Sequence, residues 1–234
     1  MNGTKEDMRP PPTERGPKGR RVRPGYAWLF CMILCLLIVT GFEDRHQVIW
    51  AAGIFLKFAI FVLALFVSDV GRKFFLTTVS LAVILAGASV PAQMYHGRFE
   101  SLILLTWSAM MLLVPVAILR KIGKEFGEEG VDLEIVLGAL SAYLYIGAYF
   151  AFLYGVMAHL SNSPFFAQPG ADSRLNYLYF SFVTLTTTGY GDISPAYGPG
   201  RMIAVTEAVI GQLYLVSVVA IVVSAFGKRK KSPS

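Results

Sequence analysis

The 234-residue sequence predicts an all-α membrane protein of six transmembrane helices: a four-helix bundle, then a two-helix unit that encloses a short re-entrant helix. Three observations carry this. Hydrophobic residues make up 55% of the chain and charged residues 15%, with a mean hydropathy of +0.56, outside the usual range of soluble domains. Apolar runs able to cross about 30 Å of hydrocarbon, roughly 20 residues as a helix, recur six times. Basic residues alternate in the segments between these runs.

The N-terminal tail, 1–24, is poor in apolar residues, carries Pro10, Pro11 and Pro12, and is expected to be disordered. Apolar runs follow at 26–42, 48–67, 74–95 and 101–119, joined by short polar loops, and place a four-span antiparallel bundle at 25–120. Residues 121–132 form a cytoplasmic linker whose Gly123, Gly127 and Gly130 argue against a rigid helix throughout. The unit at 133–227 contains runs at 133–160 and 202–226, and a basic tail closes the sequence at 228–234.

The net charge of +6 is a topology signal rather than a sign of nucleic-acid binding. Lys and Arg cluster before residue 26, at Arg72 and Lys73, at Arg120, Lys121 and Lys124, and at 228–231, which puts 16 of the 21 on one side of the membrane. The positive-inside rule makes that side cytoplasmic, with both termini there, in a multi-pass protein of the cell membrane that also attracts anionic lipid. A secretory signal peptide also begins with basic then apolar residues. Here the run is long, no small-residue cleavage site follows, and its removal would spoil the alternation. Cys31 and Cys35 lie on one helix face and read as packing residues, since they lack the neighbours that a metal shell needs.

Between the last two runs, residues 161–201 are too long and too structured for a plain loop. Asp172 or Ser173 is placed to cap a helix beginning near Leu175. The apolar, aromatic run LNYLYFSFVTL is too short to span, as expected of a re-entrant half-helix. TTTGYGD follows it, and non-helical backbone at membrane depth is tolerated only when buried in protein or lining a water-filled path.

The stretch TLTTTGYGD resembles the signature of the potassium channel pore-domain family, whose filter is usually written TVGYG. The resemblance implies a prokaryotic-type homotetramer, since each chain holds one filter segment and a filter needs four. It implies that Thr187, Thr188, Gly189 and Tyr190 offer carbonyl rings that bind K+, with the Thr187 hydroxyl at the innermost site. Gly189 and Gly191 would supply conformations that a Cβ resists. Thr186 and Asp192 would flank the filter, Asp192 at the external mouth, and Tyr190 would brace it against the half-helix. The half-helix would aim its negative end at the membrane centre. Thr188 stands where the family usually has Val or Ile, so its hydroxyl is able to change the rigidity behind the filter. EAVIGQLYLVSVVAIVV resembles the family's inner helix, and Gly211, 20 residues after Gly191, matches the spacing of a gating hinge. Close helix packing is the other reading of that glycine.

The function implied is passive, potassium-selective conduction by a non-enzyme that needs no cofactor beyond the permeant ion. A weakly selective cation channel, a potassium transporter subunit and a vestigial pore remain alternatives. The fourth run, SLILLTWSAMMLLVPVAIL, lacks the charges of a voltage sensor and contains Pro115. Lys57, inside the second run, is a bundle charge expected to bond hydroxyls or carbonyls or to border a water-filled crevice; the other reading is that it senses voltage weakly or holds a gate through a carboxylate such as Glu100 or Glu134. His46, His96 and His159 fall near external span ends and read as interfacial residues. No nucleotide-binding, zinc or nucleophile motif occurs, and the flanking tails are short for a regulatory domain.

Overall fold

The computed structural model describes residues 25–41, 47–92, 98–129, 133–161 and 163–229. Among them it contains seven helices: α1 (Gly25–Thr40), α2 (Gln47–Val67), α3 (Arg72–Ala92), α4 (Arg98–Glu129), α5 (Leu133–Ser161), α6 (Arg174–Leu185) and α7 (Gly198–Arg229). Three stretches, Leu104–Lys124, Leu133–Ser161 and Gly198–Val218, are long and apolar enough to cross a membrane among the described residues; Gly25–Thr40 and Leu56–Val67 are shorter apolar helices. The expected disordered tail at 1–24 and the histidines at 46 and 96 lie outside the described residues, as do 230–234.

α5 is the central element and packs against α1, α4, α6 and α7. Its small residues explain this. Gly138, Ala139, Ser141, Ala142, Gly147 and Ala151 are all buried, which lets neighbouring backbones approach closely. A Cβ on Gly138 would meet the Tyr26 ring of α1 at 3.1 Å and the Ile122 side chain of α4 at 3.2 Å. α1, α2 and α4 share one core with the first half of α5, through Leu29, Ile33, Phe61, Leu65, Val114, Ile118 and Ala142. The second core joins the later part of α5 to α6 and α7 around Tyr154, Phe165, Phe180 and Leu185.

The glycine-bearing linker differs from the sequence expectation, because α4 continues through Gly123 and Gly127 to Glu129. A helical glycine costs about 1 kcal/mol relative to alanine. Tertiary contacts at the start of the segment offset it. Ile122 is buried, and the Lys121 ammonium donates to the terminal carbonyl of α2 at Val67 (2.5 Å) while lying 5.6 Å from the Tyr26 ring centre. Residues 130–132 lie outside the description.

Lys57 is half-buried on α2, ten residues before Val67, so about 15 Å along the helix from the end where Lys121 docks. Glu134, at the start of α5, accepts instead from the Tyr26 backbone N–H at 3.2 Å. Cys31 and Cys35 are exposed free thiols on α1, and Pro115 is buried within a continuous α4.

Candidate functional site

The segment before α6 is fixed by its aromatic residues. Phe165 and Phe166 are buried among Tyr154, Tyr177, Phe180 and Tyr197, with edge-on and stacked ring contacts. Their backbone pairs with the chain after the TTTGYGD segment: Ala167 N donates to Ser194 O and Ala196 N to Phe165 O, both at 2.8 Å. The Gln168 side chain accepts from Ser194 N at 3.0 Å. Both ends of the intervening structure are thereby held together on one side.

α6 starts where the sequence places it. Of the two candidate caps, Ser173 takes the role, its hydroxyl accepting from Asn176 N at 3.2 Å. Asp172 instead accepts from Phe165 N (3.0 Å) and from the Tyr177 hydroxyl (2.7 Å), tying the loop to the helix. Burial, and next the bond to Asp172, raise the Tyr177 hydroxyl above its ordinary value, so it remains a donor.

After the C-cap at Thr186 the chain does not leave α6. Thr187 N donates to Thr184 O and Thr188 N to Val183 O, both at 2.9 Å, and Gly189 N to Val183 O at 3.3 Å. These bonds satisfy carbonyls that the end of a helix leaves unpaired. Thr187, Gly189 and Gly191 have φ of +57°, +59° and +77°, while Thr188 and Tyr190 between them stay negative. Such alternation turns successive N–H groups to one side and carbonyls to the other. Among the described residues, the carbonyls of 187–191 accept no hydrogen bond. Thr187 is a non-glycine residue in the left-handed region, a strain of the kind that clusters at functional sites.

Side chains hold this strip from three directions. The Gln212 amide of α7 donates to the Thr187 hydroxyl at 2.8 Å. The Thr186 and Thr188 hydroxyls bond each other at 2.9 Å, and Thr186 also donates to Phe182 O at 2.7 Å, so the hydroxyl of Thr188 is engaged locally. Tyr179 of α6 stacks nearly parallel on Tyr190, 6.4 Å between ring centres, and donates to Asp192 at 2.8 Å. Tyr190 therefore lies against the half-helix on one face and is 70% exposed.

Gly211 lies against the end of α6. A Cβ there would fall 2.2 Å from Leu185 O, the carbonyl that also accepts from the Tyr143 hydroxyl at 3.3 Å. Deeper in the same seam is a group that the sequence pattern presents only as one residue of an apolar helix. Glu207 is fully buried, and its two carboxyl oxygens bond the Tyr154 hydroxyl of α5 and the Ser181 hydroxyl of α6. Ser181 also bonds Gly147 O at 2.7 Å. Like Lys57, Glu207 is an ionisable residue inside an apolar run, and that is the sequence signal that finds it.

A short capped helix delivers a non-helical strip, whose carbonyls accept no hydrogen bond among the described residues, against a long apolar helix, and comparison with known proteins finds its match in this region. Residues 139–228 match the ion channel family model. The matched region takes in most of α5, α6, the 186–192 strip and α7. One relative, provisionally named a potassium channel protein of Rhodopseudomonas palustris, is 41% identical over 51 residues, covering 22% of this chain. The match spans 12% of that protein's length. No solved structure matches the chain. The three long apolar stretches and the match to the ion channel family model are those of a membrane protein.

Proposed function

We propose that the chain is one subunit of a homotetrameric, potassium-selective channel of six membrane spans, with α6 re-entrant and residues 187–191 as the selectivity filter. One observation carries the reading: in 187–191 the left-handed residues alternate, N–H groups at 187–189 are consumed by α6, and the carbonyls accept nothing among the described residues. Four such strips around an axis would present rings of carbonyl oxygens that replace the hydration shell of K+. Thr187, Thr188, Gly189 and Tyr190 are the ion-binding residues of this reading; Thr186 and Asp192 flank them, and Asp192 adds negative potential at the mouth. The C-terminal end of α6 meets the strip at Thr186 and contributes its partial negative charge. The family match and the name of the Rhodopseudomonas relative support the same class.

The test is the reversal potential of purified protein in planar bilayers, potassium facing sodium, for the natural chain and for Gly189→Ala. Reversal near the potassium equilibrium value, with current lost in the variant, is the expected outcome. Reversal near zero would establish a nonselective pore, and silence of the natural chain under all conditions a vestigial one.

A further inference from the structure

We propose that Glu207 is held as a neutral carboxylic acid, a built proton site that latches α6 between α5 and α7 and thereby positions the filter segment. Three oxygen-to-oxygen bonds meet here: Tyr154 hydroxyl to Glu207, Ser181 hydroxyl to Glu207, and Ser181 hydroxyl to Gly147 O. Two hydroxyls supply two protons. Gly147 O is acceptor only, so Ser181 donates to it, Tyr154 donates to one carboxyl oxygen, and the other carboxyl oxygen must carry the third proton and donate to Ser181.

The competing arrangement splits the Ser181 proton between two acceptors and leaves a carboxylate. That places a full charge in a seam that holds no counter-charge among the described residues, and an unpaired buried charge is strongly disfavoured. The titratable groups facing Glu207 are Tyr154 and Tyr143, both on α5. α6 offers the Ser181 hydroxyl, and no Lys, Arg or His bonds Glu207 among the described residues. The neutral acid satisfies every partner, and the charged form leaves one acceptor short.

The latch acts through α6 and touches no residue of the 186–192 strip, so Glu207 is a positioning residue. Ser181 lies five residues before Thr186, and Gly147, whose carbonyl completes the chain, abuts the Phe182 ring, 2.8 Å from where a Cβ would sit. Ionisation of Glu207 removes the third proton, and α6 loses a bond to one of its two neighbours.

The inference rests on the channel reading only in its effect on current, and the experiment separates the two. Infrared difference spectra of the full chain in lipid, natural against Glu207→Gln, should show at neutral pH a protonated-carboxyl C=O band that the variant lacks; Ser181→Ala should retain the band at a shifted position. In bilayers, the natural chain should lose current as pH rises from neutral into the alkaline range, while Glu207→Gln, whose amide supplies the same donor and acceptor, should not. A missing band, a band unchanged in Glu207→Gln, a variant that fails to fold although the amide mimics the neutral acid, or equal alkaline loss in both proteins would each overturn the latch. A preparation with the band and without current counts against the channel reading alone.

Discussion

Gly189 and Gly211 are both glycines at the site, yet the structure assigns them opposite reasons. At Gly211 a methyl group would meet Leu185 O at 2.2 Å, well inside contact distance, so Gly211→Ala must push α7 away from α6. Overpacking of this kind costs about 1–3 kcal/mol and should lower the thermal unfolding temperature of the assembled protein. At Gly189 nothing lies within 4 Å, and the penalty comes from φ of +59°, about 1–2 kcal/mol for a residue with a Cβ. Gly189→Ala should therefore alter conduction far more than unfolding, and the two variants separate by readout. Tyr154→Phe strips Glu207 of one partner and should cost about 1–3 kcal/mol in the same thermal assay, because a buried acceptor is left unsatisfied. The glycines of the proposed filter are legible in the sequence because their reason is local, a backbone turn written in neighbouring residues. The Gly211 contact spans 26 residues and the Glu207 latch joins three helices, so neither is written in any one segment; Glu207 leaves only the trace of a carboxyl in an apolar run.

At the scale of elements, α4 tests the absence of a voltage sensor. Its residues 104–119 carry no charge, and the basic groups that follow them, Arg120 and Lys121, come at the end where Lys121 already bonds the α2 terminus. Moving one charge through the field yields about 2.3 kcal/mol per 100 mV, and the uncharged stretch 104–119 collects none of it. Conductance in symmetrical potassium, free of blocking ions, should vary little with voltage, and a steep curve would refute this. The positions of α1 to α7 follow the apolar runs because hydrophobic length and helical rise set them, and the Ser173 cap follows from local hydrogen-bond chemistry. The extent of α4 does not follow. Three glycines suggest a break, but the contacts of Lys121 and Ile122 with α1, α2 and α5 come from elsewhere in the chain and keep the helix going. Likewise the sequence leaves open where the first four helices sit, whereas the structure packs α1 and α4 onto α5 of the same chain.

For the whole molecule, the exposed faces of α1 and α7 differ in a way that bears on assembly. On α1, Trp28, Cys31, Leu34, Cys35 and Ile38 form an exposed stripe without charged or strongly polar groups, suited to lipid. On α7 the exposed residues Met202, Val205, Val209, Leu213 and Val216 are interspersed with Thr206, Gln212 and Ser217, a mixture suited to protein neighbours and a water-filled path. This stripe adjoins the strip of free carbonyls, and Tyr190 keeps one ring face open beside it. The proposed tetramer, if built on α7, would account for all three features together, since neighbouring chains would cover the apolar residues while the polar ones would face the proposed path. Leu213→Lys would put a charge where the chains of the proposed tetramer converge, and a charge at such depth costs about 2.5–3.5 kcal/mol on insertion scales, repeated in every chain. Leu213→Lys should therefore reduce the native mass in detergent from four chains to fewer while helical content by circular dichroism persists. Trp28→Ala, on the lipid-suited face of α1, should leave the mass unchanged. A natural chain that runs as a monomer, or a Leu213→Lys variant that stays tetrameric, would remove α7 from the interface and with it the geometric basis for four converging filters.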